Sequence, residues 1–162
     1  MWLDLDDNLP RIPDNYPEYK KMFAKDTLND KIFQLTAPYD NPYQGTRTRI
    51  LFVCSAGLLR SPTGAAVGTK RGYNTRACGA VQEYALIPLT VNLIEWAEKI
   101  VFVNRENKFQ ALETFANTGY EEDIERKSVT LDIPDKYEAF HPVLNQTFND
   151  WFDQWEAEKK PT

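Results

Sequence analysis

From residue 48 onward the chain alternates between short apolar runs and longer stretches with helical spacing. Ile50 to Val53 is a continuous, partly β-branched apolar run, as expected of a strand covered on both faces, and it predicts a strand over 49–54. Ser61 followed by Pro62 is the signature of an N-cap and a first helical residue, so a helix is predicted over 62–71. A short second strand follows at 74–78. Residues 88–98 place Leu89, Leu93, Ile94, Trp96 and Ala97 on one helical face, and 99–103 reads as a third strand. Residues 105–117 are predicted helical with Phe109, Leu112 and Phe115 as apolar contacts. A fourth strand is expected at 128–133. The pattern closes with an amphipathic helix at 142–158, carrying Leu144, Phe148, Trp151, Phe152 and Trp155. Strand and helix in alternation predict an α/β fold of three layers: a four-stranded parallel sheet with helices on both faces, joined by right-handed crossovers. Gly64 and Gly68 lower the propensity of the first helix, which argues for close packing on its sheet.

Residues 1–47 lack any sustained period. They hold Pro10, Pro13, Pro17, Pro38 and Pro42 among scattered aromatics, and only about 17–35 has helical spacing, with Tyr19, Met22, Phe23, Ile32, Phe33 and Leu35. The segment is too aromatic for a plain disordered tail. It reads as an N-terminal extension, partly helical or irregular, laid over its own core, ahead of one domain at 48–162.

Length and charge narrow the function. A chain of 162 residues suits one domain with a real core. A net charge of −5 argues against a nucleic-acid surface, and no apolar run reaches membrane-spanning length. Two cysteines without paired spacing fit a reducing cytoplasm. A single histidine and no Cys/His cluster leave zinc without a site, and no cofactor is expected. The Gly-x4-Gly-Lys-Ser/Thr nucleotide loop is absent.

The candidate chemistry lies at 54–61, Cys-Ser-Ala-Gly-Leu-Leu-Arg-Ser. Cys54 ends the first strand, and the loop runs straight into a helix N-terminus. Such a turn gathers backbone N–H groups from Ser55, Ala56, Gly57, Leu58 and Leu59, and the helix dipole adds positive potential. Arg60 supplies a planar fork that matches two phosphate oxygens. The arrangement holds a cysteine nucleophile against a bound oxyanion. In parallel sheets ligands bind beyond the carboxyl ends of strands, where Cys54 falls. Cys-x5-Arg-Ser after a strand is the constellation of cysteine-dependent phosphatases.

On these residues the chain resembles the low-molecular-weight protein tyrosine phosphatase family, in its compact branch of bacteria and their viruses. The likeness covers roughly 48–158 and is strongest over 50–63. Trp96-Ala97-Glu98-Lys99-Ile100-Val101 is similar to the family's segment before its third strand, and Asn107 falls where the family often keeps an asparagine. Leu131-Asp132-Ile133-Pro134-Asp135-Lys136-Tyr137 is similar to the late loop that carries its catalytic aspartate. The resemblance implies Cys54 as nucleophile, Arg60 as phosphate clamp, Ser61 as hydrogen-bond donor to the sulfur and Asp135 as general acid. Tyr137 would either stack against a substrate ring or cover the sheet edge, and Tyr84 falls in a region that shapes the pocket mouth in the resembling family. Three positions depart from the family: Gly57 stands for its usual asparagine, Leu59 for a protective cysteine, and Lys136 for the proline after the aspartate.

The implied substrate is a phosphorylated protein or small aryl phosphate, with neither nucleic acid nor membrane as partner. Two other readings use the same loop. An arsenate reductase needs a further cysteine, for which Cys78 is the candidate if its sulfur approaches Cys54. A non-catalytic module would capture phosphorylated proteins without hydrolysing them. Asp132 competes with Asp135 for the acid role, although its position at the end of the fourth strand ties its direction to the sheet.

Overall fold

Four parallel strands in the order β2-β1-β3-β4 form the centre of the molecule in a computed structural model. The structure describes residues 47–57 and 59–159. In chain order they form β1 (Arg47–Cys54), α1 (Arg60–Lys70), β2 (Tyr73–Gly79), α2 (Val91–Trp96), β3 (Lys99–Phe102), α3 (Arg105–Thr114), α4 (Glu121–Lys127), β4 (Ser128–Thr130) and α5 (Pro142–Lys159). The predicted extension at 1–47 lies outside the described residues except for Arg47, which opens β1.

The apolar run of the sequence is the inner strand β1. It pairs with β2 from Arg47↔Tyr73 to Cys54↔Gly79 and with β3 from Ile50↔Lys99 to Val53↔Phe102, so both of its edges and both of its faces are covered. On one face α1 and α5 enclose Ile50, Phe52, Cys54, Val101 and Val103. On the other, α2, α3 and α4 cover Leu51, Val53, Cys78, Ile100 and Phe102. The three-layer α/β expectation therefore holds.

Helix α1 lies between the sheet and α5, buried from Arg60 to Thr69. Its glycines are the reason it fits. A Cβ on Gly64 would stand 2.6 Å from the Phe52 ring and 2.9 Å from the Phe148 ring; one on Gly68 would stand 2.7 Å from Thr75 Cγ2.

Several elements differ from the expected spans, each for a local reason. Helix α2 begins only at Val91, because Thr90 Oγ1 accepts the Leu93 N–H at 3.2 Å and caps it there. On α3 the inward positions are Asn107 and Ala111, and Phe109 is exposed rather than a core contact. Two residues along a helix is about 200° of rotation, so an inward Asn107 sends Phe109 outward. Helix α4 was not anticipated. Its signal is charge: Glu121, Glu122 and Asp123 in the first turn, Arg126 and Lys127 in the last, matched to the helix dipole. Among the described residues, no helix is long and apolar enough to cross a membrane.

Candidate active site

The loop after β1 is shaped by the chain beside it. The carbonyls of Cys54, Ser55 and Ala56 accept hydrogen bonds from the N–H groups of Ala80 (2.7 Å), Val81 (3.1 Å) and Leu86 (3.0 Å). Three successive carbonyls are thus held on the β2 side. Gly79, which ends β2, passes so close beneath that a Cβ would stand 2.5 Å from the Ser55 carbonyl oxygen. At Gly57 the chain turns with φ +78°, a conformation that favours glycine, and the Gly57 N–H points to Cys54 Sγ at 3.2 Å. Leu58 lies outside the described residues, and the Leu59 side chain is exposed.

The expected N-cap at Ser61 is corrected. The helix starts at Arg60, Leu59 occupies the cap position, and no side chain caps it. Ser61 is already inside the helix, where its hydroxyl lies 3.0 Å from Cys54 Sγ and 3.3 Å from the Cys78 carbonyl oxygen. With one hydrogen to give, Ser61 can donate to the carbonyl beside a thiol, or to the sulfur beside a thiolate. The uncapped first turn keeps N–H groups for an anion, and Pro62 lacks an N–H where the helix needs none.

Arg60 is buried, although an arginine is costly to desolvate without partners. Its Nη1 donates to the Ile133 carbonyl at 3.1 Å, and its Nε lies 3.7 Å from Asp135 Oδ1. The segment after β4 thus brings Asp135 to the Arg60 guanidinium while leaving the aspartate 63% exposed.

Asp132 is placed differently. Strand β4 ends at Thr130, but Leu131 N–H donates to the Phe102 carbonyl (2.8 Å) and Ile133 N–H to the Val103 carbonyl (3.0 Å), so the chain stays hydrogen-bonded beside the end of β3 without continuing the regular ladder. Neighbouring side chains alternate along an extended segment. Leu131 and Ile133 both pack on the cluster that holds Cys54, and Asp132 between them is exposed.

The same alternation separates Cys78 from Cys54. Its register partner is Val53, and both pack beneath α2 and α3, whereas Cys54 faces α1 and α5. The two sulfurs point to opposite faces of the sheet. Burial, and secondarily the neighbouring Cys54, pushes the Cys78 thiol well above its ordinary range. Both cysteines are free.

Two further polar side chains meet at the site; in the sequence Asn107 is marked only by the family resemblance, and Thr63 by nothing. Thr63 Oγ1 donates to the Leu59 carbonyl at 2.8 Å and accepts the Phe140 N–H at 2.7 Å, tying the loop after β1 to the loop that carries Asp135. Phe140 is held at φ +63°, a strained conformation for a bulky residue. Asn107, wholly buried, donates from Nδ2 to Ser55 Oγ at 2.9 Å. Tyr137 is half-buried, packed on the α1–α5 cluster with its ring 5.0 Å from that of His141, and Lys136 Nζ sits 5.4 Å from its centroid. Tyr84 is exposed, two residues before the Leu86 amide that holds the loop.

No family model matches the sequence, and no curated protein matches it. Solved structures do. The YwlE arginine phosphatase from Geobacillus stearothermophilus is 18% identical, with a TM-score of 0.52 over 71% of this chain and 99% of its own. Wzb from Vibrio vulnificus, solved with benzylphosphonate, is 17% identical, with a TM-score of 0.53 over 66% of this chain and 98% of its own. The tyrosine phosphatase Wzb from Escherichia coli K30, solved with phosphate, is 13% identical, with a TM-score of 0.54 over 70% and 99%. The described chain therefore has the α/β fold of these phosphatases, with Cys54 at the end of its first strand.

Proposed function

We propose that the protein is a cysteine-dependent phosphomonoester hydrolase, acting as a protein tyrosine phosphatase through a cysteinyl-phosphate intermediate. The observation that carries this reading is the convergence on Cys54 Sγ of the Gly57 N–H and the Ser61 hydroxyl, beside the buried Arg60 and within its reach Asp135. In the first step Cys54 Sγ attacks phosphorus and the bond to the leaving oxygen breaks. Arg60 and loop N–H groups hold the phosphoryl oxygens as charge redistributes. Asp135 gives its proton to the departing oxygen. Water then attacks phosphorus and gives a proton back to Asp135, the S–P bond breaks, and inorganic phosphate leaves. The shared fold with arginine and tyrosine phosphatases supports the reading, as does the structure solved with benzylphosphonate, which pairs a phosphonate with an aromatic ring.

Arsenate reduction is disfavoured by the position of Cys78, since a second sulfur on the far face of the sheet cannot meet Cys54 without reversing β2. A purely binding module has no use for a cysteine so closely hydrogen-bonded. The two reduced thiols fit a cytoplasmic enzyme.

The test is turnover of p-nitrophenyl phosphate by the full chain with EDTA present. Cys54→Ser should abolish turnover while vanadate still binds. Full activity in that variant rules out the covalent route.

A further inference from the structure

Asn107 is an expensive residue to keep where it is. It is fully buried at the start of α3, and its Oδ1 has no hydrogen-bond partner among the described residues. Its backbone N–H is satisfied by Asn104 Oδ1 at 3.0 Å, so the helix is already capped without its side chain. Only the Nδ2 end is used, toward Ser55 Oγ at 2.9 Å and Gln110 Oε1 at 3.3 Å. A polar group buried with one end unsatisfied destabilises a fold, and such departures gather at functional sites.

What the contact does to Ser55 follows from hydrogen-bond arithmetic. A hydroxyl has one hydrogen to donate and lone pairs to accept with. Ser55 Oγ accepts from Asn107, and among the described residues it has no acceptor for its own hydrogen. The Ser55 carbonyl is held away by the Val81 N–H, while the side chain is only half-buried, one residue beyond the nucleophile. We infer that Asn107 is a positioning residue that makes Ser55 a side-chain donor to a phosphoryl oxygen in the Cys54 cradle, in addition to the loop N–H groups. The inference rests on the hydrolase reading above and adds a donor, and the residue that aims it, to that site.

The experiment compares Ser55→Ala, Ser55→Thr, Asn107→Ala and the Ser55/Asn107 double alanine variant in the full chain. The readouts are kcat/KM for p-nitrophenyl phosphate and the inhibition constant of inorganic phosphate. Loss of one hydrogen bond to a charged group is expected to cost Ser55→Ala about tenfold in both, with thermal midpoint unchanged. Ser55→Thr, which keeps the hydroxyl, should retain activity. Asn107→Ala should lose as much as Ser55→Ala, and the double variant no more than either, because both remove the same donor. A merely structural asparagine would lower the thermal midpoint and add its effect to that of Ser55→Ala. Unchanged kcat/KM and phosphate inhibition in Ser55→Ala would overturn the inference, as would additive losses. Ser55 is partly exposed, so its variants decide the matter even if Asn107→Ala fails to fold. Absence of turnover in the unaltered chain would instead overturn the hydrolase reading, and this inference with it.

Discussion

At the scale of single residues, we propose Asp135 rather than Asp132 as the general acid. Asp135 lies 3.7 Å from Arg60 Nε and is open to solvent, while Asp132 sits between Leu131 and Ile133, which both pack on the cluster that holds Cys54. Asp135→Ala is therefore expected to lower kcat for a poor leaving group by roughly 10²–10⁴, the range of general acid–base assistance. A substrate whose leaving oxygen is already acidic should lose far less. A series of aryl phosphates of graded leaving-group acidity measures this, and the same dependence in Asp132→Ala but not Asp135→Ala would reverse the roles. Cys54 and Arg60 could be read from sequence because they share one short loop whose local geometry is set by its neighbours in the chain. Thr63 and Asn107 could not be read in this way. Their partners Phe140 and Ser55 lie 77 and 52 residues away, and nothing local distinguishes a threonine in a helix from one that joins two loops. Gly79 was hidden for the same reason: its need for no side chain comes from the Ser55 carbonyl packed against it.

At the scale of elements, the close approach of α1 to the sheet can be tested directly. In an exposed helix, Gly→Ala gains about 1 kcal/mol of propensity. At Gly64 the new methyl would meet the rings of Phe52 and Phe148 at 2.6 and 2.9 Å, and both rings are themselves fully buried. Overpacking of this kind costs about 1–3 kcal/mol. Gly64→Ala is thus expected to be net destabilising and to lower the thermal midpoint by several degrees despite its better helix propensity; a higher midpoint would show that the rings yield. The sequence predicted this packing from two glycines that lower the propensity of the helix. It also gave β1 and α5 closely, since β1 holds a continuous, partly β-branched apolar run and the 18-residue amphipathic α5 carries a strong helical period. The spans set by capping and by charge were less legible. Helix α2 is 6 residues and α4 is 7, too short for a period to emerge, and each is defined by its ends.

At the scale of the molecule, the site depends on both faces of the sheet. Arg60 and Thr63 reach it from α1, Asn107 from α3, and Asp135 from the segment before α5. In the sequence the extension is defined only by what it lacks, a sustained period. We propose that residues 1–46 bind back on the domain, since their aromatics favour burial and Asp4, Asp6 and Asp7 suit a basic surface. The boundary matters to the experiment. Arg47 belongs to β1: its N–H donates to the Gly72 carbonyl at 3.2 Å, its Nη1 to the Arg71 carbonyl at 3.1 Å, and its guanidinium lies 4.2 Å from the Tyr73 ring centroid. A truncation that removes Arg47 would therefore damage the strand that leads to Cys54 and confuse two effects. Deleting residues 1–45 keeps that strand whole. If the extension covers the domain, this truncation should lower the thermal midpoint, or shift KM for a bulky phosphopeptide more than for p-nitrophenyl phosphate. A small aryl phosphate needs only the cradle, whereas a peptide must also cross the surface around it. Unaltered stability together with unaltered KM for both substrates would show that the extension serves another partner.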